Sequence, residues 1–391
     1  MKEQYKKESP IISMLGMGGG GTGLALGGGA GASSPYFSDN SIYRFAPAYD
    51  TTNDKLVIAF RDSANSNYGT AVVGTVSDTG VTFGTPVVFE SAATDQIAAT
   101  FDANSGKVVI FYEDEGNSDY GTAIVGTVSG TSISFGSPVV FHNNNTTNII
   151  AGYDPSNQKV LVAYRDDNSG NYSGKARVGA VSGTSISFGS EAQFESGRTS
   201  PDAMAFNVDQ GKLVIVYNDN QNNFYGTAVV GSISGTSISF GSPVVFSSAD
   251  VTSYMSVAYD ANTQKMVVTY WDQPSGNKGK ARVASVSGTS ISFSGSSPVE
   301  FASSCQYTSA TYNPDTQKVV VMYRDGSNSN YGTSKVGTVS GSNISFGSAS
   351  VFNEANSSYI QSVYDPDNDK VIVVYSDSGS TPAGRGAVSL I

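Results

Sequence analysis

Seven short stretches of the chain are almost wholly apolar: KLVIAF at 55–60, KVVIFY at 107–112, KVLVAY at 159–164, KLVIVY at 212–217, KMVVTY at 265–270, KVVVMY at 318–323 and KVIVVY at 370–375. Unbroken β-branched runs of this length predict strands buried on both faces. Ahead of each run lies a segment rich in Ala, Ser and Gly that closes on an aromatic followed by Asp or Asn. These pairs are Tyr49-Asp50, Phe101-Asp102, Tyr153-Asp154, Phe206-Asn207, Tyr259-Asp260, Tyr312-Asn313 and Tyr364-Asp365, in steps of 52, 52, 53, 53, 53 and 52 residues. A fixed period near 50 with several short strands per copy is the signature of a propeller or array.

Each copy predicts four strands. The small-residue segment suits the crowded axis of a ring and is expected innermost, and the apolar run is expected at the centre of each blade. A third strand, GTAVVGTVS and its variants, leads through a Ser-Gly turn into the fourth, TSISFGSPVVF. Pro86, Pro138, Pro243 and Pro298 lie in the fourth strand. Proline cannot donate to a ladder, so this strand is expected at the outer edge, with a bend or bulge where Gly or Ser precedes the proline. The seventh copy lacks a fourth strand. Upstream of the first, GTGLALGG (21–28) and SSPYF (33–37) match the missing strand, so residues about 21 to 37 are expected to complete the last blade and leave no open edge. The expected architecture is an all-β, seven-bladed β-propeller of four-stranded antiparallel blades over 34–391, with a Gly-rich N-terminal extension over 1–33.

Composition narrows the chemistry. The 391 residues carry a formal net charge of −11 without basic clusters, which argues against nucleic-acid binding. One Cys and one His (Cys305 and His142) exclude an intrachain disulfide, a His-based triad and a multi-His metal site within one chain. No apolar run approaches the roughly 20 residues of a membrane helix. The basic-then-apolar start is broken by Gly too often to form a signal-peptide h-region. No cofactor and no bound metal are expected; calcium in EDEGNSD (113–119) is the alternative, for its clustered oxygen ligands.

Every apolar run ends in Asp: Asp62, Asp114, Asp166, Asp219, Asp272, Asp325 and Asp377. The loops that follow vary most between copies and place Tyr68, Tyr120, Tyr225 and Tyr331 before a Gly, with Tyr172 shifted by one; the fifth copy has Trp271 instead. Each Asp can fix its own loop through backbone N–H groups, and this is the expected role. The competing expectation is a glycan-binding face of these Asp, Tyr and Trp side chains, because Tyr and Trp present rigid amphipathic surfaces. Seven lysines (Lys55, Lys107, Lys159, Lys212, Lys265, Lys318 and Lys370) are expected on the opposite face, paired with the turn Asp of the same hairpin.

The turn SDTGVTF (77–83) resembles the Asp-box of sialidase-type propellers, and Tyr43-Arg44-Phe45-Ala46-Pro47 resembles their Tyr-Arg-Ile-Pro motif with one residue added. Sialidases need a nucleophilic Tyr paired with Glu, and no Glu stands in such a site; Arg61, Arg165 and Arg324 are expected to be spread around the ring. Across the whole chain, the GTVSGTSISFGSPVVF repeats joined to KKESPIISMLGMGGG resemble repeat-containing virion proteins of marine tailed bacteriophages, such as tail-fibre, baseplate or capsid-appendage components. That resemblance implies a virion location, other virion proteins as partners of the N-terminal segment, host-surface recognition and no enzyme activity. A free carbohydrate-binding propeller lectin is the alternative, and a sialidase-like glycosidase the third reading.

Overall fold

The computed structural model describes residues 36–38, 42–78, 80–170, 172–250, 254–293, 295, 297–379 and 385–391. The expected extension over 1–33 lies outside them, as do 21–35 of the expected closing strand. Apart from two single-turn 3₁₀ segments, every element is a β-strand. The copies form seven antiparallel units. In the first, Phe45–Asp50 pairs with Lys55–Asp62, which pairs with Tyr68–Ser77. The first strands of successive units touch one another, and the strand Phe45–Asp50 touches the last of them (within Ser350–Asp365), so the contacts close on themselves.

The expected single fourth strand is instead two segments. Gly80–Phe83 pairs with the far end of the third strand and Val87–Ala93 with its near end. The break falls at Gly84-Thr85-Pro86, and it recurs without proline at Gly189-Ser190-Glu191; at Gly84 the next unit's Thr131 carbonyl comes so close that a Cβ would overlap it. The second segment then runs straight into the first strand of the next unit: Val87–Asp102 is one 16-residue strand, as are Val139–Asp154 and Ser350–Asp365.

The apolar runs are buried on both faces because alternate residues serve different cores. Leu56, Ile58 and Phe60 join a cluster with Phe37, Ile372 and Val374, while Val57 and Ala59 join one with Ile110 and Tyr112. The described residues form seven such clusters, each between two neighbouring units. One aromatic of each fourth strand meets one at the end of the next unit's second strand. Phe89–Tyr112, Phe141–Tyr164, Phe194–Tyr217, Phe246–Tyr270, Phe301–Tyr323 and Phe352–Tyr375 have ring centroids 5.2–5.4 Å apart. A small partner is required on the third strand: a Cβ on Gly121 would lie 2.6 Å from the Phe141 ring, and on Gly174 2.4 Å from Phe194.

The seventh seam is closed by the N-terminal side of the chain. Tyr36–Ser38 pairs antiparallel with Arg385–Leu390, through Tyr36↔Ala387 and Ser38↔Gly386. Phe37 lies over Gly386 as Phe141 lies over Gly121, and its ring is 5.5 Å from Phe60 of the first unit. The described part of the expected closure is therefore present.

The turn carboxylates are buried and locally satisfied. Asp50 Oδ1 accepts the N–H of Thr52 and Asn53, and Asp154 and Asp365 repeat the pattern. The lysines do not pair with them as expected. Lys55 and Lys159 donate to turn carbonyls, while Lys212 and Lys265 donate to the hydroxyls of Ser232 and Ser285. The second oxygen of Asp50, Asp154 and Asp365 is taken by the side-chain amide of Asn53, Asn157 and Asn368.

His142 is buried between two carboxylates, with Nε2 3.1 Å from Asp166 and Nδ1 3.0 Å from Glu191. Lys175 is 2.7 Å from each of the same carboxylates, and Tyr164 donates to Glu191 at 2.6 Å. Burial opposes ionisation of Asp166 and Glu191, but these hydrogen bonds outweigh it and hold both carboxyls below their ordinary range.

Candidate functional site

The outer rim of one face carries the Asp, Tyr and Trp residues singled out from the sequence, and the structure keeps them apart, one set per unit. Six of the seven Asp residues serve their own loops. Asp62 accepts from Ala64, Asp166 from Asn168, Asp219 from Asn222, Asp272 from Ser275, Asp325 from Ser327 and Asp377 from Gly379, at 3.0–3.1 Å. Asp114 precedes the single 3₁₀ turn Glu115–Asn117 without a side-chain capping hydrogen bond. Burial still pushes the Asp114 and Asp219 carboxyls up. In Asp272 the Lys280 ammonium and Ser275 overcome burial and push the carboxyl down. Tyr68, Tyr120, Tyr225 and Tyr331 open their third strands half-buried, and Tyr172 stacks under Arg198 at 4.9 Å. In the acidic run weighed for calcium, Glu115 pairs with Arg61 at 3.2 Å, and no group of three acidic, His or Cys side chains among the described residues is placed to hold a metal. The three arginines are separated: Arg61 faces Asp95 and Glu115, Arg165 faces Asp167, and Arg324 reaches Ser358.

A different site lies inside that rim. The first strands surround a cavity of about 510 Å³ on the ring axis, within the roughly 300–1,000 Å³ range of ligand pockets. Six residues before each turn Asp or Asn, the chain enters the ring at the cavity mouth. The residues there are Arg44, Gln96, Asn148, Pro201, Tyr254, Tyr307 and Tyr359, all of which line the cavity. In several units a bulge marks this point, for example between Asp95 and Ala98 and between Gln306 and Ser309. Gln96, Asn148, Tyr254, Tyr307 and Tyr359 have φ of 49°, 49°, 70°, 54° and 54°.

The mouth is lopsided. Ring centroids are 4.2 Å apart for Tyr254–Tyr307, 5.0 Å for Tyr307–Tyr359 and 6.4 Å for Tyr359–Tyr43, and Trp271 stands 6.3 Å behind Tyr254. These rings make one arc over units five to seven and one. Arg324 and Arg61 back it, 4.9 Å from the Tyr307 ring and 5.8 Å from Tyr43. Beside the Tyr43 end of the arc, Arg44 is bound to Asp95 at 2.5 Å. Burial and the neighbouring Asp95, Asp119 and Glu115 push the Glu113 carboxyl up to about 8. Asp202 is pushed up to about 7 by burial, which the N–H groups of Met255 and Tyr254 only partly offset.

None of the thirteen rim residues lines the cavity; Trp271 reaches it only through Tyr254. Tyr43 entered the sequence reading only through the Tyr-Arg motif, and Tyr254, Tyr307 and Tyr359 did not enter it at all. Their signal was an aromatic six residues before the turn in three successive copies.

No family model and no curated protein sequence matches the chain. Solved structures do match. The Sqt1 protein of Saccharomyces cerevisiae superposes with a TM-score of 0.54 at 11% identity, covering 92% of this chain and 98% of that one. Chaetomium thermophilum Sqt1, solved bound to the N-terminus of ribosomal protein L10, gives 0.52 at 12% identity over 91% and 90%. NanB, solved with Optactamide, gives 0.50 at 11% identity over 91% and 70%. The chain has a β-propeller fold. Sqt1 is a seven-bladed WD40 propeller, and the likeness extends to fold alone, since such folds host unrelated functions.

Proposed function

We propose that the chain is a seven-bladed β-propeller, each unit one four-stranded blade, that acts as a non-catalytic attachment and host-recognition module on a virion. The N-terminal segment would join it to other virion proteins, and the face bearing the mouth would point outward to a host-surface glycan. The observation that carries recognition is the break in symmetry at the mouth. A scaffold residue is repeated in all units, whereas Tyr254, Tyr307 and Tyr359 occupy one repeat position on one side only. The virion setting rests on the resemblance of the repeats and the N-terminal segment to phage virion proteins.

Hydrolysis is disfavoured by the lining, in which Asp202 is the single carboxylate among the described residues. Glycoside cleavage ordinarily takes two carboxyl groups flanking the bond. Turnover of a fluorogenic sialoside by pure protein, abolished by Arg44→Ala, would overturn the non-catalytic reading. Mass spectrometry of purified particles tests the setting: the chain is expected among the virion proteins, and purified protein is expected to block adsorption to host cells. Its absence from particles, with sugar binding intact, would favour the free lectin.

A further inference from the structure

The axial mouth has features that the propeller frame does not need. Tyr254, Tyr307 and Tyr359 hold a left-handed backbone that costs an ordinary L-residue roughly 1–2 kcal/mol. Asn148 fills the same position in the third unit at φ 49°, and Asn tolerates that conformation far better than a bulky ring. Three adjacent units therefore keep an unfavourable backbone with a large aromatic on it, and strain of this kind concentrates at functional sites.

The arc is also joined to a polar wall. Ser309 and Ser362 hydroxyls lie 2.8 Å apart, and Ser256 accepts the N–H of Ala310 at 3.0 Å. Gln361 gives its amide N–H to the Phe45 carbonyl at 2.8 Å, which orients its amide oxygen as a further acceptor. The facing side carries Ala98, Ile150, Ala151 and Met204 beside the polar Gln96, Asn148 and Asp202. Aromatic rings above hydroxyl and amide groups match a sugar ring, which offers C–H groups on its face and hydroxyls on its edge.

Charge selects among sugars. Arg44, the lining cation, is bound to Asp95, and Arg61 and Arg324 stand behind the rings, outside the lining. Asp202, the lining carboxyl, is pushed up to about 7 by burial and adds little negative charge on the acidic side of neutrality, so with Arg44 paired the lining offers little net charge to a charged sugar. We infer that the axial mouth binds a neutral hexopyranose at the end of a surface glycan, stacked on Tyr307 and Tyr359 between Tyr254 and Tyr43. This names the ligand class and the residues for the recognition role proposed above, and it rests on that reading.

The test uses the full chain, calorimetric titration and four neutral methyl glycosides (glucose, galactose, mannose and N-acetylglucosamine), with sialyllactose and choline as charged probes. At least one neutral glycoside is expected to bind and to perturb Trp271 fluorescence, while both charged probes bind at least tenfold more weakly. Tyr307→Asn and Tyr359→Asn, each suited to the left-handed backbone, should weaken binding tenfold or more and leave the melting temperature nearly unchanged. Tyr307→Phe, which keeps the ring, should lose less than threefold, and Val140→Thr on the exposed outer edge should lose nothing. Full affinity in the Tyr307→Asn/Tyr359→Asn double variant, stronger binding of sialyllactose or choline, or no binding of any neutral glycoside at millimolar concentration would each overturn the site. The virion reading fails on different evidence, namely the absence of the chain from purified particles.

Discussion

At the seams, a Phe of one unit meets an aromatic of the next at 5.2–5.5 Å in all seven places, and the seventh is supplied by Phe37 from the far end of the chain. At the mouth, seven residues along the chain from each of those Phe residues or close to it, the copies carry Arg, Gln, Asn, Pro and three Tyr at one repeat position. Both regions are aromatic, but a seam residue is enclosed by two units, so a change there disturbs both neighbours. A mouth residue is enclosed on one side only and is free to differ. Uniformity across the copies thus marks the frame, and divergence marks the surface available for recognition.

The sharpest way to break this contrast is at the closing seam. Deleting residues 1–40 should remove the strand Tyr36–Ser38, expose the edge at Gly386 and Ala387, and produce the largest fall in melting temperature, whereas deleting 1–15 should change it little. Phe37→Ala alone should cost about 3–5 kcal/mol, as for other buried aromatic truncations. Equal stability of the two truncations would show that the ring does not depend on this strand.

A smaller loss is expected from overfilling a seam. Gly121→Ala and Gly174→Ala each place a Cβ against a Phe ring and should destabilise by about 1–3 kcal/mol in chemical denaturation. The two losses should agree if the seams are equivalent; a neutral result at either would separate that seam from the rest.

Protonation compares the two sides of the mouth with the His142 network. Asp202 and Glu113 titrate above their ordinary range, so the folded state holds more protons than the unfolded chain from pH ~4 to the folded values of about 7 and 8. Their contribution to stability is full below pH ~4 and is lost as pH rises through 7 to 8. Asp166 and Glu191 are shifted downward, so their contribution is present above pH ~4.5 and is lost on acidification. From these groups the melting temperature should therefore peak near pH ~4–5 and decline towards pH ~8, and Asp202→Asn should flatten that decline. An unchanged slope in that variant would contradict the burial of this carboxyl.

The least effect is expected at the rim. Asp325→Ala removes the acceptor for the Ser327 N–H and should cost about 0.5–1.5 kcal/mol while loosening only its own loop. If it reduced ligand binding as much as Tyr307→Asn, recognition would belong to the rim rather than the mouth.

Much of the frame was legible along the chain because its determinants are local. The run KVVIFY announces a strand enclosed on both sides, and Asp50 or Asp154 followed by N–H donors two and three residues on announces its turn. Phe37 could be placed because SSPYF copies the tail of the other fourth strands. The candidate site was less legible. Rim Asp residues stood out because they repeat, and six of the seven accept N–H groups of their own loops. Tyr254, Tyr307 and Tyr359 were obscured because each looks like an ordinary strand aromatic within its own copy.

By itself, then, the amino-acid order determined the number of repeats, the burial of each second strand, the polar turns and the strand that the seventh copy lacks, since each depends on residues adjacent in sequence or on comparison between copies. Only the tertiary structure decided what copies do to one another. Residues about 52 apart, such as Tyr254, Tyr307 and Tyr359, become a continuous aromatic arc because successive first strands turn around one axis. His142 likewise comes to lie between Asp166 and Glu191 of the next unit. Contacts of that kind depend on the angle between neighbouring units and on closure of the ring, which no single repeat encodes.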